Sequence, residues 1–155
     1  MRKDMQNIWK GKYSPIIVPV IAFLVSLLWT YTGLDKLLNW KKSWNAFHNQ
    51  TFPSDLADSL AYAVPILELI LALMLVFQLT RWWGMIGSLL LMTIFNTYVG
   101  LVWQGAFPRV PCNCAGLLER MSWQSHFWFN SCCIIIIILG LWFWDQRNNN
   151  SVKDA

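Results

Sequence analysis

Charge is what this sequence has least of. Asp, Glu, Lys and Arg make up 13% of its 155 residues, about half the roughly 25% of a typical water-soluble domain. That scarcity argues against an ordinary soluble fold. The net charge of +4 is small and scattered, so it marks no nucleic-acid surface and no nucleic-acid partner is expected. There is no internal repeat, no low-complexity tract, and no nucleotide or haem motif. Disorder is excluded too, because 56% of the chain is apolar and so apolar a chain does not stay solvated. The length suits one domain. What is abundant is tryptophan, eleven in all, and long runs of aliphatic residues. These observations leave a small membrane protein.

Four apolar runs carry the fold class: Pro15 to Tyr31, Leu60 to Leu79, Trp83 to Trp103 and Phe127 to Trp144. A bilayer core takes about 20 helical residues to cross, within a range of roughly 17 to 25. Four spans are too few to close a barrel, so each must be a helix that pairs its own backbone groups. The expected fold is an all-α, four-helix transmembrane bundle occupying residues 1–147, followed by a polar tail over 148–155. Trp29, Trp82, Trp83, Trp103, Trp128, Trp142 and Trp144 fall near span ends, where indole rings favour the interface. The first run is longer than a signal-peptide core and no A-x-A-like site follows it, so it reads as a retained helix.

Basic residues set the expected orientation. With the N-terminus inside, Arg2, Lys3, Lys10, Lys12, Arg81, Arg147 and Lys153 are inner, against Lys36, Lys41, Lys42, Arg109 and Arg120 in the outer loops. Both termini are thus expected on the cytoplasmic side of a bacterial inner membrane, with Thr80 to Trp82 a tight inner turn. In the first outer loop Leu37, Trp40, Trp44 and Phe47 recur at helical spacing, with Lys41, Lys42, Asn45 and Asn49 between them. That pattern predicts a short amphipathic helix on the membrane surface. Ser54, after Pro53, is the expected N-cap of the next helix.

Against this background the polar residues inside the spans stand out. Glu68 is the lone acid well inside a span, and an intramembrane ionisable group is a functional candidate by default. Pro65, one turn earlier, frees a backbone carbonyl near it. Lys36 is long enough to reach down to Glu68. Such a pair either sets helix register or transfers protons. Asn96 and Asn130 suit hydrogen bonds between helices.

The cysteines give the second set of candidates. Cys112 and Cys114 form a C-x-C in the second outer loop, framed by Pro111 and Gly116, and Cys132 and Cys133 lie about one turn into the fourth span. All four gather toward the outer face, where disulfides persist. A bridge between cysteines two apart closes a small, strained ring, and strain makes a disulfide labile and exchange-competent. Static staples between the loop and the fourth span remain open, since four cysteines allow three full pairings. Cys132 or Cys133 as packing residues also remains open. A metal set of Cys112, Cys114, His126 and His48 lacks the usual zinc spacing, and no metal is expected.

Taken in order, Gly33-Leu34-Asp35-Lys36, Pro65-Ile66-Leu67-Glu68 and Cys112-Asn113-Cys114-Ala115-Gly116 resemble the MauE branch of the DoxX-like membrane proteins. The resemblance covers about Ser26 to Phe143. The family's cysteine motif often reads C-G-C-F-G, so Asn113 and Ala115 depart from it, while Asn130 matches a position where the family tends to have Asn. The resemblance implies four membrane helices and a role in methylamine utilisation, in maturation or export of a disulfide-rich dehydrogenase subunit. A thioredoxin-like protein works in the same pathway. The vicinal pair Cys132-Cys133 is not carried over from the family.

The resulting expectation is a membrane protein supporting thiol–disulfide chemistry through Cys112 and Cys114, with a thioredoxin-like periplasmic protein or client as partner. Cys132 and Cys133 are possible relays, Glu68 and Lys36 the proton-handling pair, and a membrane quinone the possible electron carrier. As an enzyme it would be a quinone-linked thiol–disulfide oxidoreductase. A non-catalytic assembly or export factor, and a DoxX-like membrane subunit of a quinone-linked complex, are the alternatives.

Overall fold

Each expected span is present as a helix longer than the apolar run that announced it. A computed structural model describes residues 2–49, 53–106 and 122–153, with side chains over 16–49, 53–106 and 122–146. The described residues form α1 (Arg2–Leu38), α2 (Trp40–His48), α3 (Ser54–Val76), α4 (Arg81–Trp103) and α5 (Trp123–Lys153), and no strand. Four segments are long and apolar enough to cross a bilayer: Ile16–Leu38, Ser54–Val76, Arg81–Trp103 and Trp123–Gln146. The short helix expected on the surface is α2.

The boundaries differ from expectation for physical reasons. Gly33 looks like a helix breaker, but α1 runs through it to Leu38. A Cβ there would lie 3.0 Å from the Leu69 side chain and 3.3 Å from the Pro65 carbonyl. The glycine is therefore a packing residue that lets α3 approach. Ser54 is not the N-cap of α3. Pro53 takes that position, its carbonyl accepting from the amides of Leu56 (3.1 Å) and Ala57 (3.0 Å). Pro65 does not break α3. The fourth span starts four residues before Phe127, because Ser122 caps it: its hydroxyl accepts from the Ser125 amide (3.2 Å) and its carbonyl from the His126 amide (2.9 Å). The expected polar tail from 148 is helical through Lys153.

Around the bundle α1 packs against α3 and α5, and α4 against α5 and α3, with little contact across the α1–α4 diagonal. The chain runs up and down alternately, so one end carries the α3–α4 turn and the other carries α2. Inward residues of α1 recur at helical spacing: Val18, Ala22, Val25, Trp29, Thr32 and Lys36 are all buried. With Leu71, Ala72, Leu75, Met85, Met92 and Ile137 the first four build the apolar core. Toward the α2 end the same stripe turns polar.

Trp29 is a correction. It is 2% exposed, near the middle of its span, and donates from Nε1 to the Ser88 hydroxyl of α4 at 2.9 Å. An indole needs a partner for its N–H when buried, and Ser88 supplies one. The other indoles behave as membrane-edge residues: Trp83, Trp103, Trp128 and Trp142 are exposed, and Trp82 stacks toward Trp144 at the turn end. The turn itself is tied by its own side chains. Arg81 donates to the carbonyls of Leu75 (3.1 Å) and Val76 (3.2 Å), and Thr80 to that of Met74 (2.8 Å). These bonds satisfy the otherwise orphaned carbonyls at the α3 C-terminus.

Candidate functional site

The polar end of the α1 stripe meets the one buried acid of α3, Glu68. Lys36 Nζ lies 2.7 Å from Glu68 Oε1 and 2.9 Å from Oε2, and 3.5 Å from the Thr32 carbonyl one turn below it. Glu68 is 1% exposed and Lys36 8%, so both charges are inside the bundle. The acid stands level with the last turns of α1, where Gly33 meets Pro65 and Leu69. Counted from Ser54, it is 14 residues down α3, about 21 Å at ~1.5 Å per residue, rather than eight residues from Leu60. Lys36 belongs to the last turn of α1, and its side chain points back into the protein instead of out to the headgroups.

Such a pair does two things. As a bidentate, charge-assisted contact it fixes the register of α1 against α3. Chemically, a proton can pass from one group to the other without changing the net charge of the pair, since its ionised and neutral forms carry the same charge. Desolvation of either ion alone is too costly to leave it unpaired.

On α5 a second polar stripe faces inward. His126 is half-buried in the first turn, Asn130 is buried and Cys133 is half-buried against the core, with Ile137 completing the row. Their spacing of four, three and four places them on one face. His126 lies within electrostatic reach of Lys36. Sequence reading considered His126 only as a metal ligand, and the i, i+4, i+7 spacing is the signal that joins it to Asn130 and Cys133. His48, the other histidine, is at the far corner of α2, with Nε2 2.9 Å from Asp58 Oδ1.

Cys132 and Cys133 are both free thiols, and they part company: Cys132 is exposed on the lipid side, whereas Cys133 packs on the core. They sit nine and ten residues into α5, about 14 Å below its start at ~1.5 Å per residue, and not the single turn expected. Asn96 Nδ2 donates to Ser131 Oγ at 3.1 Å, and Ser131 donates on to the Phe127 carbonyl at 2.8 Å. Asn96 thus links α4 to α5. Its Oδ1 is buried with no partner among the described residues. Ser131, Ser88 and Ser26, which donates to the Ala72 carbonyl at 3.0 Å, are hydrogen-bonding partners between helices that composition could not pick out. Cys112 and Cys114 lie outside the described residues, as do Pro111, Gly116, Arg109 and Arg120. The described chain stops at Ala106 and resumes at Ser122, both at the α2 end of the bundle.

No curated protein and no solved structure matches the chain. The family described as methylamine utilisation protein MauE matches residues 14–143, a stretch that takes in three spans whole and most of the fourth, with Lys36, Glu68 and every cysteine. The chain, a multi-pass membrane protein by its four apolar helices, therefore belongs to the MauE family of methylamine utilisation proteins.

Proposed function

We propose that this protein supports thiol–disulfide exchange on the outer face of the cytoplasmic membrane, with Cys112 and Cys114 as the exchanging pair. A thiolate of a thioredoxin-like partner attacks one sulfur of the Cys112–Cys114 disulfide. A mixed disulfide forms and the other cysteine leaves as a thiolate. The partner's second thiol then displaces the first, leaving the partner oxidised and the loop a dithiol. Two electrons and two protons have entered, and a membrane quinone, reduced to the quinol, would remove them. Run backwards, the same steps supply reductant to the periplasm.

The observation that carries the reading is the buried Lys36–Glu68 pair, at the end of the bundle from which the cysteine loop springs. Thiolate release and recapture need a group that takes and returns a proton, and in this reading the pair supplies it. Cys133, on the same inward face as Asn130 and His126, is the relay in this reading: it closes a disulfide with one loop thiol as the two electrons and two protons pass to the quinone. Cys132, facing lipid, is not the relay. The orientation is supported by the charges. With Lys36 neutralised in its pair, the outer loops keep Lys41, Lys42, Arg109 and Arg120 against seven basic residues on the other side, which favours cytoplasmic termini.

Thiol trapping in membranes tests the proposal. Cys112 and Cys114 are expected to switch between oxidised and reduced forms as reductant or quinone is added, and Cys114→Ala to accumulate a mixed disulfide with a periplasmic protein. A single oxidation state under every condition would refute exchange and favour a stapled loop in a non-catalytic assembly or export factor.

A further inference from the structure

Helix α2 joins the end of one membrane span to the start of the next, so it lies at the level of the bilayer edge. Its inner face is made of small residues, Ser43 and Ala46, which seat it on α3. The neighbouring face is aromatic. Trp40 and Tyr62 have ring centroids 4.7 Å apart, and Trp44 lies 5.7 Å from each of them. His48 stacks on the far side of Trp44 at 4.7 Å. Mutual packing holds these rings in place, so they form a preset wall.

Beside that wall is an open cleft of about 430 Å³ lined by Trp40, Lys41, Trp44, Asn45 and Tyr62. Lys41 and Asn45 are four residues apart and exposed on α2, which puts an ammonium and an amide over the same opening. The acids nearby are already engaged. Asp35 accepts from Asn39 Nδ2 at 2.8 Å and Asp58 faces His48. Lys41 makes no ion pair among the described residues. Below Tyr62, the residues Ile66, Ile70, Leu73 and Phe77 continue an exposed apolar track down α3, each about half exposed.

We propose that this cleft is a binding site for a glycerophospholipid. The phosphodiester sits on Lys41 and Asn45, the glycerol against Trp40, Trp44 and Tyr62, and an acyl chain along Ile66, Ile70 and Leu73. Cation and anion attract, the indoles prefer the interfacial layer, and the track begins where the headgroup ends. A soluble anion would gain the first of these contacts and neither of the others.

Native mass spectrometry of the full-length protein in detergent, titrated with phosphatidylglycerol, tests the site. One lipid per chain is expected to persist at detergent concentrations that strip the rest. Lys41→Glu is expected to weaken its retention at least tenfold, Tyr62→Ala by several-fold, and Lys41→Arg little. Both positions are exposed, and an unchanged helical circular dichroism spectrum separates loss of the site from loss of the fold. Equal retention by wild type and Lys41→Glu overturns the proposal. So does binding of glycerol 3-phosphate as tight as that of the lipid, which would make this a site for soluble phosphate.

Discussion

Single residues carry an unusual share of the energetics in a bundle with so few polar groups. Removing one member of the Lys36–Glu68 pair leaves the other buried and unpaired, which costs about 3–5 kcal/mol. Replacing both by apolar side chains of similar size is often neutral or better. Lys36→Met and Glu68→Leu are therefore each expected to lower stability by about that amount, and the double variant to regain most of it, as read by unfolding in mixed micelles. If the pair also moves protons, the restored double variant still fails in thiol exchange, so stability and turnover come apart. Glu68 was visible in the sequence as a lone acid in an apolar run, and Lys36 as the one cation able to reach it. Trp29 was misread because an indole at the membrane edge and one in the core look alike until Ser88, 59 residues away, is seen beside it. The Asn96–Ser131 bond was half legible: an Asn in a span announces a partner but does not name it.

Between elements the decisive feature is how closely backbones approach. Gly33 on α1 and Leu69 on α3 touch at the distance a β-carbon would need. Gly33→Val is expected to push the helices apart and cost about 1–3 kcal/mol, the usual range for overpacking. Leu69→Ala in the same chain makes room, and the double variant should be more stable than Gly33→Val alone. Thermal unfolding of the three proteins in one detergent checks the order. No periodicity could have told this glycine from a helix stop, since local sequence reads Gly as punctuation and only the facing helix shows otherwise. The α2 helix was legible from its alternation of aromatic and basic residues. Its small seating residues, Ser43 and Ala46, were not, because the large side chains dominated the pattern.

For the molecule as a whole, the four apolar runs were sufficient to give the architecture, because lipid permits so few alternatives. The ring order of the helices and the meeting of the α1 and α5 polar stripes at one end came only with the structure. Sidedness is the testable property at this scale. Cysteines introduced at Asn49, at the α2 end, and at Gln78, in the α3–α4 turn, are both exposed. In intact cells of a variant otherwise lacking cysteine, an impermeant maleimide is expected to label the first and spare the second. The reverse pattern would place the cysteine loop in the cytoplasm.

The buried pair also constrains how the chain enters the bilayer. Lys36 is made 32 residues before Glu68, so α1 emerges from the ribosome with a cation that has no counter-ion in lipid. Lys36 is in the last turn of α1, so before α3 is made its ammonium can reach the interface. Glu68, well inside α3, has no such exit, and a central charge costs about 2.5–3.5 kcal/mol on translocon scales. Insertion is thereby ordered: α1 settles first, and α3 is the span that becomes acceptable only beside a partner already in place.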